Sequence, residues 1–132
     1  MLDKIPHEYH DLLKDETKAF AFLGTVMPDG SPQVTPVWFN VDDEHILINS
    51  AKGRVKDKNM RARPQVALTL MDPRKPYRYV QVRGRVVDVT EEGGAEHIHA
   101  LSRKYHGRDY TIPEGMVRVT YRILPMQSGG MG

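Results

Sequence analysis

The chain has 132 residues and no cysteine, and 19 Lys and Arg against 17 Asp and Glu leave a net charge of +2. That length suits one domain, the lack of cysteine excludes disulfides, thiol nucleophiles and cysteine-ligated metals, and the charge balance gives no bulk attraction for a polyanion. With 39% hydrophobic and 27% charged residues the expectation is a soluble, folded protein.

The opening MLDKIPHEYHDLLKDE mixes charges and a proline where a secretory signal needs an apolar core, so a cytoplasmic location is expected. No apolar run approaches the ~20 residues that span a bilayer. His7 to Lys18, with Tyr9, Leu12 and Leu13 in a polar stretch, predicts a short amphipathic helix packed on the domain. Ala19 to Val26 predicts a strand, and Met27-Pro28-Asp29-Gly30-Ser31-Pro32 the turn of a hairpin. Gln33 to Asn40 predicts its partner, apolar on both faces, and Pro36 requires this strand to lie at an edge or to be broken or bulged. A third strand covers His45 to Asn49.

Arg54 to Arg63 predicts a basic helix stopped by Pro64. Gln65 to Met71 and Tyr77 to Thr90 predict two further strands, the second bent or bulged at Gly84. A helix capped by Thr90 is expected to run to about Tyr105, and Met116 to Ile123 closes the pattern with Val117, Val119, Tyr121 and Ile123 inward and Arg118, Thr120 and Arg122 outward. Residues 1–125 are thus expected to form a single domain and 126–132, ending SGGMG, a flexible tail. Six strands with short turns and two helices imply a mainly β, antiparallel barrel. Neither GxGxxG nor a P-loop occurs, so a Rossmann site and an NTPase lack support.

Six cations, Lys52, Arg54, Lys56, Lys58, Arg61 and Arg63, fall within twelve residues with Asp57 as the single acid. They open a helix after a strand, where free N–H groups and the helix dipole favour an anion such as phosphate. At 100° per residue they cannot all converge on one ligand, and a solvated basic helix is the competing reading. The six histidines lack metal-ligand spacing, so no metal site is expected, and no serine has a GxSxG setting. Trp38, Phe39, Tyr77, Tyr79 and Tyr110 can stack on a planar ligand or fill the core.

Taken together, GTVMPDGSPQVTPVWF, INSAKGRVKDKNMRARPQVAL and DPRKPYRYVQVRGRV resemble the pyridoxamine 5'-phosphate oxidase-like split β-barrel superfamily across residues 8–125, and are most similar to its flavin/deazaflavin oxidoreductase branch. The resemblance implies a six-stranded split barrel with short flanking helices, of the FMN-binding type, that forms a homodimer with cofactor sites at the subunit interface. It implies that Arg54 and Lys56 bind the cofactor phosphate, with Asn49, Ser50 and Lys58 nearby. Val34, Thr35, Pro36, Val37 and Trp38 would run along the ring, and Tyr77 and Tyr79 would reach in from the partner. The ending LPMQSGGMG lacks the basic terminus of true pyridoxamine phosphate oxidases.

The expected function is hydride transfer between coenzyme F420, or FMN, and an unsaturated small molecule. Lys52, Lys58 and Arg61 exceed what one phosphate requires, and on that ground are expected to attract the carboxylates of a deazaflavin tail. The alternatives are a non-catalytic flavin, heme or tetrapyrrole storage protein on the same barrel, and a nucleic-acid-binding barrel that the near-zero net charge disfavours.

Overall fold

The computed structural model describes residues 2–132, so Met1 of the expected domain lies outside the described residues. Seven strands form one antiparallel sheet in the order β2-β1-β5-β6-β7-β4-β3: β1 Phe20–Val26, β2 Pro32–Val37, β3 Phe39–Val41, β4 Ile46–Ala51, β5 Gln65–Asp72, β6 Lys75–Thr90 and β7 Arg118–Met131. The sheet curls into the expected split barrel, open between β2 and β3. The seventh strand arises because the expected strand Gln33 to Asn40 is broken at Trp38: its first part pairs with β1 and its last three residues pair with β4. Pro36 sits opposite Phe22 on the edge strand β2, where the outer side of the ladder is free and a missing N–H costs no sheet bond.

The period-2 alternation fills the barrel. Leu23, Leu68, Leu70, Val80, Val82, Val119, Tyr121 and Ile123 all point inward and are buried, as are Ile46, Ile48 and Phe39. Gly84 lies at a register shift between β6 and β7, and a Cβ there would come within 2.7 Å of the Leu124 carbonyl oxygen, so the expected bulge also needs a residue without a side chain.

Four sequence expectations change. Val117, expected inward, is 42% exposed just before β7 begins. The amino-terminal helix is a pair of 3-10 segments, His7–Leu13 and Asp15–Thr17, joined at extended Lys14, although Tyr9, Leu12 and Leu13 are buried as the amphipathic pattern requires. Helix α2 spans Gly94–His106 with Gly93 (φ 79°) as its N-cap, because Thr90 still belongs to β6, where it pairs with Thr120. Residues 126–131 are not a loose tail but the end of β7, paired with β6 as far as Tyr79 opposite Met131. Gly130 is there for packing: a Cβ on it would lie 2.1 Å from the Tyr9 ring. Among the described residues no helix is long and apolar enough to cross a membrane.

Candidate anion and cofactor site

Helix α1 spans Val55–Ala62 and follows β4 through the turn Lys52-Gly53-Arg54, in which Gly53 has φ 91°. Asp57 holds this turn. Its carboxylate accepts from the Gly53 N–H at 2.8 Å, from the Tyr121 hydroxyl at 2.5 Å and from Arg61 Nε at 2.8 Å. Burial pushes the Asp57 carboxyl up, but these three donors outweigh it and leave the pKa below the usual value. The Tyr121 phenol is pushed up, by burial and by its bond to Asp57.

The cations of the basic run divide. Lys52 pairs with Glu91 at 2.9 Å, Arg61 with Asp57, and Arg63 donates to the Val26 carbonyl at 2.7 Å and to Asn59 Oδ1 at 3.1 Å. Among the described residues no ion pair or side-chain hydrogen bond involves Arg54 or Lys56, and both line a cleft of about 580 Å³, a size suited to a small-molecule ligand. Arg118 joins them from β7, which sequence reading placed merely outward; its partner in register is Ala51 on β4, which puts it beside the turn. Burial lowers the pKa of Lys56, and Arg54 and Arg118 lower it further. Burial likewise lowers that of Arg118, with Tyr110 opposing and Arg54 adding to the effect. Three cations thus face one half-buried space with no carboxylate among its lining residues, an arrangement that an anion relieves.

Most of the rest of the cleft is apolar. Phe22, Pro36, Val37, Ile98 and Leu101 line it, and Trp38 forms one wall. The indole stacks on Tyr105 (centroids 5.5 Å apart, planes at 11°) and meets His106 and Tyr110 edge-on, so it is fixed before any ligand arrives. Lys104, buried beneath the β2–β3 break, donates to the Phe39 carbonyl at 2.7 Å, and burial brings its pKa down to about 8. Ser50 lines the cleft at 2% exposure, and its hydroxyl has no protein partner. Paired with Val119 on β7, its side chain shares the inward face of Ile48.

The structure therefore gathers Pro36, Val37, Trp38, Asn49, Ser50, Arg54 and Lys56 in one place, as the sequence reading groups them. Lys58 is exposed outside the cleft. Val34 and Thr35 turn away from it: Val34 is 65% exposed on the outer face, and the Thr35 hydroxyl is buried without a partner. Tyr77, 85% exposed, and Tyr79 lie on β6, away from this chain's own cleft. Sequence reading missed Phe20 to Phe22, Ile98, Leu101 and Arg118 as cleft residues, and placed Tyr110 there only as one of several stacking candidates.

Comparison with known proteins decides the family. The pyridoxamine 5'-phosphate oxidase family model matches residues 5–127. The chain belongs to the pyridoxamine 5'-phosphate oxidase family. Within this family it shares 34% identity with a solved F420 reductase, covering 95% of this chain and 98% of that one with a TM-score of 0.83, which puts the two in one branch. A conserved hypothetical protein from Mycobacterium tuberculosis, Rv2991, is 24% identical at a TM-score of 0.71, covering 99% of this chain and 88% of the other. A Listeria innocua protein provisionally assigned as a pyridoxamine 5'-phosphate oxidase is 17% identical at 0.70, with 93% and 94% covered. These last two share the fold of the family. No curated protein sequence matches the chain.

Proposed function

We propose that this member of the pyridoxamine 5'-phosphate oxidase family is an oxidoreductase that binds coenzyme F420 and passes hydride to an unsaturated small molecule. The observation that carries the reading is the cation trio Arg54, Lys56 and Arg118, left without acids in a largely apolar cleft. The similarity to a protein named F420 reductase supports the deazaflavin over FMN. The spare-cation argument does not: Lys52 and Arg61 are engaged by Glu91 and Asp57, which leaves only Lys58 for a carboxylate tail.

The residues present fit a phosphorylated ring cofactor. Arg54, Lys56 and Arg118 would hold its phosphate, and the backbone of Pro36 to Trp38 would border the ring. When bound, the cofactor supplies the hydride. The protein's work is to orient and to exclude water, through the fixed Trp38 wall and the Phe22, Ile98 and Leu101 lining. Tyr110 also lines the cleft and would be the phenol available to a substrate that takes up a proton.

The same reading makes the protein a homodimer. An apolar groove on the outer face of the sheet, lined by Val34, Ala67 and Met126, lies exposed beside the Gly84 bulge, and Tyr77 projects from the β5–β6 hairpin. A second copy would cover the groove and bring Tyr77 and Tyr79 toward its partner's cleft. Fluorescence titration of the purified protein with coenzyme F420 and with FMN, combined with sedimentation, tests both parts. The expected result is tighter, salt-sensitive binding of F420 by a dimer; tighter binding of FMN with turnover supported by it alone, or a monomer that binds cofactor fully, overturns the corresponding part.

A further inference from the structure

Behind the cation trio a row of polar side chains joins four elements. Arg118 on β7 donates from Nε to Asn49 Oδ1 at 2.8 Å. Asn49 on β4, 7% exposed, donates from Nδ2 to the Gly94 carbonyl at 2.9 Å and to His97 Nδ1 at 3.2 Å. His97 on α2 meets Asn40 Oδ1 on β3 through Nε2 at 2.8 Å, and Thr120 Oγ1 lies 3.0 Å from its Nδ1.

Two of these contacts fix the Asn49 amide. A guanidinium only donates and a carbonyl only accepts, so the Asn49 amide must turn its oxygen to Arg118 and its nitrogen to Gly94. The amide's other hydrogen then needs an acceptor. His97 Nδ1 is one only in the tautomer that carries its proton on Nε2, and that proton faces Asn40 Oδ1. A Cβ on Gly94 would come within 2.1 Å of the Arg118 carbonyl oxygen, so α2 begins pressed against the very residue the row controls.

We propose that His97 is the positioning residue of the anion site, holding Asn49 in the orientation that fixes the Arg118 guanidinium in the cleft. The inference rests on the reading of Arg54, Lys56 and Arg118 as the phosphate site. Arg118 is repelled by the two cations it faces, and it needs an anchor. Asn49 supplies one without neutralising it, as an aspartate would, so the full charge stays available to the ligand. The groups around the ring are suited to a neutral imidazole: Asn40, Asn49 and Thr120 bond it, while Arg118 and Arg122 oppose a positive charge, and with burial as the main cause its pKa falls to about 4.

The experiment compares wild type, His97→Leu, which removes the acceptor, and His97→Asn, whose amide oxygen takes the place of Nδ1. The arginine Nε–H region of a proton–nitrogen NMR spectrum is recorded without ligand, with thermal melting as the check on folding. Inorganic phosphate and coenzyme F420 are then titrated separately. A protected Arg118 Nε–H signal, assigned by its loss in Arg118→Met, is expected in wild type, lost in His97→Leu and regained in His97→Asn. Affinity for both probes should fall about tenfold in His97→Leu, recover in His97→Asn, and be insensitive to His97→Leu once Arg118 is Met. A protected signal that survives in folded His97→Leu, or an affinity loss of equal size in the Arg118→Met background, overturns the positioning role. Phosphate binding that follows this pattern without any binding of F420 or FMN leaves His97 in its role and overturns the cofactor reading instead.

Discussion

Lys52 and Arg61 belong to the same basic run as Arg54 and Lys56, yet the two pairs have opposite fates. The first pair meets Glu91 and Asp57 and is spent on holding the turn and the helix. The second faces a cleft with no acid in its lining and is joined there by Arg118, 62 positions beyond Lys56 in the chain. A run of charge is therefore not a functional unit. What decides a cation's role is whether the fold brings an acid to it, and the acids here come from β6's end and from α1 itself.

The sharpest way to break this contrast is to remove one cation from each set. Arg54→Ala should weaken coenzyme F420 binding by roughly 10- to 150-fold, the cost of about 1.5–3 kcal/mol for a charge-assisted contact, with the melting temperature unchanged. Unchanged affinity in a fluorescence titration would remove Arg54 from the site. On the structural side, Asp57→Ala strands the Tyr121 hydroxyl and the Gly53 N–H at once and should cost about 3 kcal/mol in urea unfolding. A loss below about 1 kcal/mol would show that the turn holds itself.

The support behind Arg118 gives a smaller, pH-dependent effect. The His97 pKa is depressed to about 4 in the fold by burial, with Arg122 and Arg118 adding to it, while the unfolded chain takes up that proton near the ordinary 6.5. The unfolded state therefore binds more protons between those values. The contribution is fully present above about pH 6.5 and is lost as pH falls toward 4, at most about 3 kcal/mol. Urea midpoints for wild type should drop more steeply over that window than those of His97→Asn, and parallel curves would refute the assignment. Smallest of all, Lys52→Ala should cost well under ~1 kcal/mol, as an exposed pair does, and leave cofactor affinity within error. A tenfold loss of affinity would move Lys52 into the site and erase the contrast.

Most of the site was legible because its parts lie close together in the sequence. Asn49 to Lys56 is one strand end, one turn and the start of one helix, and Pro36 announces the edge where pairing stops. Arg118 was not legible, since alternation along β7 says only that it leaves the barrel core, and a core-facing pattern cannot tell solvent from a cleft. The break at Trp38 was half legible: proline marked the neighbourhood, but the aromatic contacts with Tyr105, His106 and Tyr110 that capture the indole depend on the end of α2 and the segment after it, more than 60 residues away. The last residues misled through composition. Ser-Gly-Gly is the signature of a linker, and only the Tyr9 ring lying over Gly130 shows why small residues stand in a strand.

The place of β7 between β6 and β4 has a kinetic consequence. The β3–β4 hairpin touches the sheet through β7 alone, so residues 39–51 leave the ribosome with no strand to dock on until residues 118–123 have been made. The nascent chain can close β2-β1-β5-β6 early, but the cleft lacks its third cation until β7 has been made. Pairing across so long a separation is the slow, entropy-limited event of such a topology. On the proposed function, cofactor capture then follows completion of the sheet rather than guiding it, and a nascent chain stalled before Arg118 presents an unpaired β4 edge to its neighbours on the polysome.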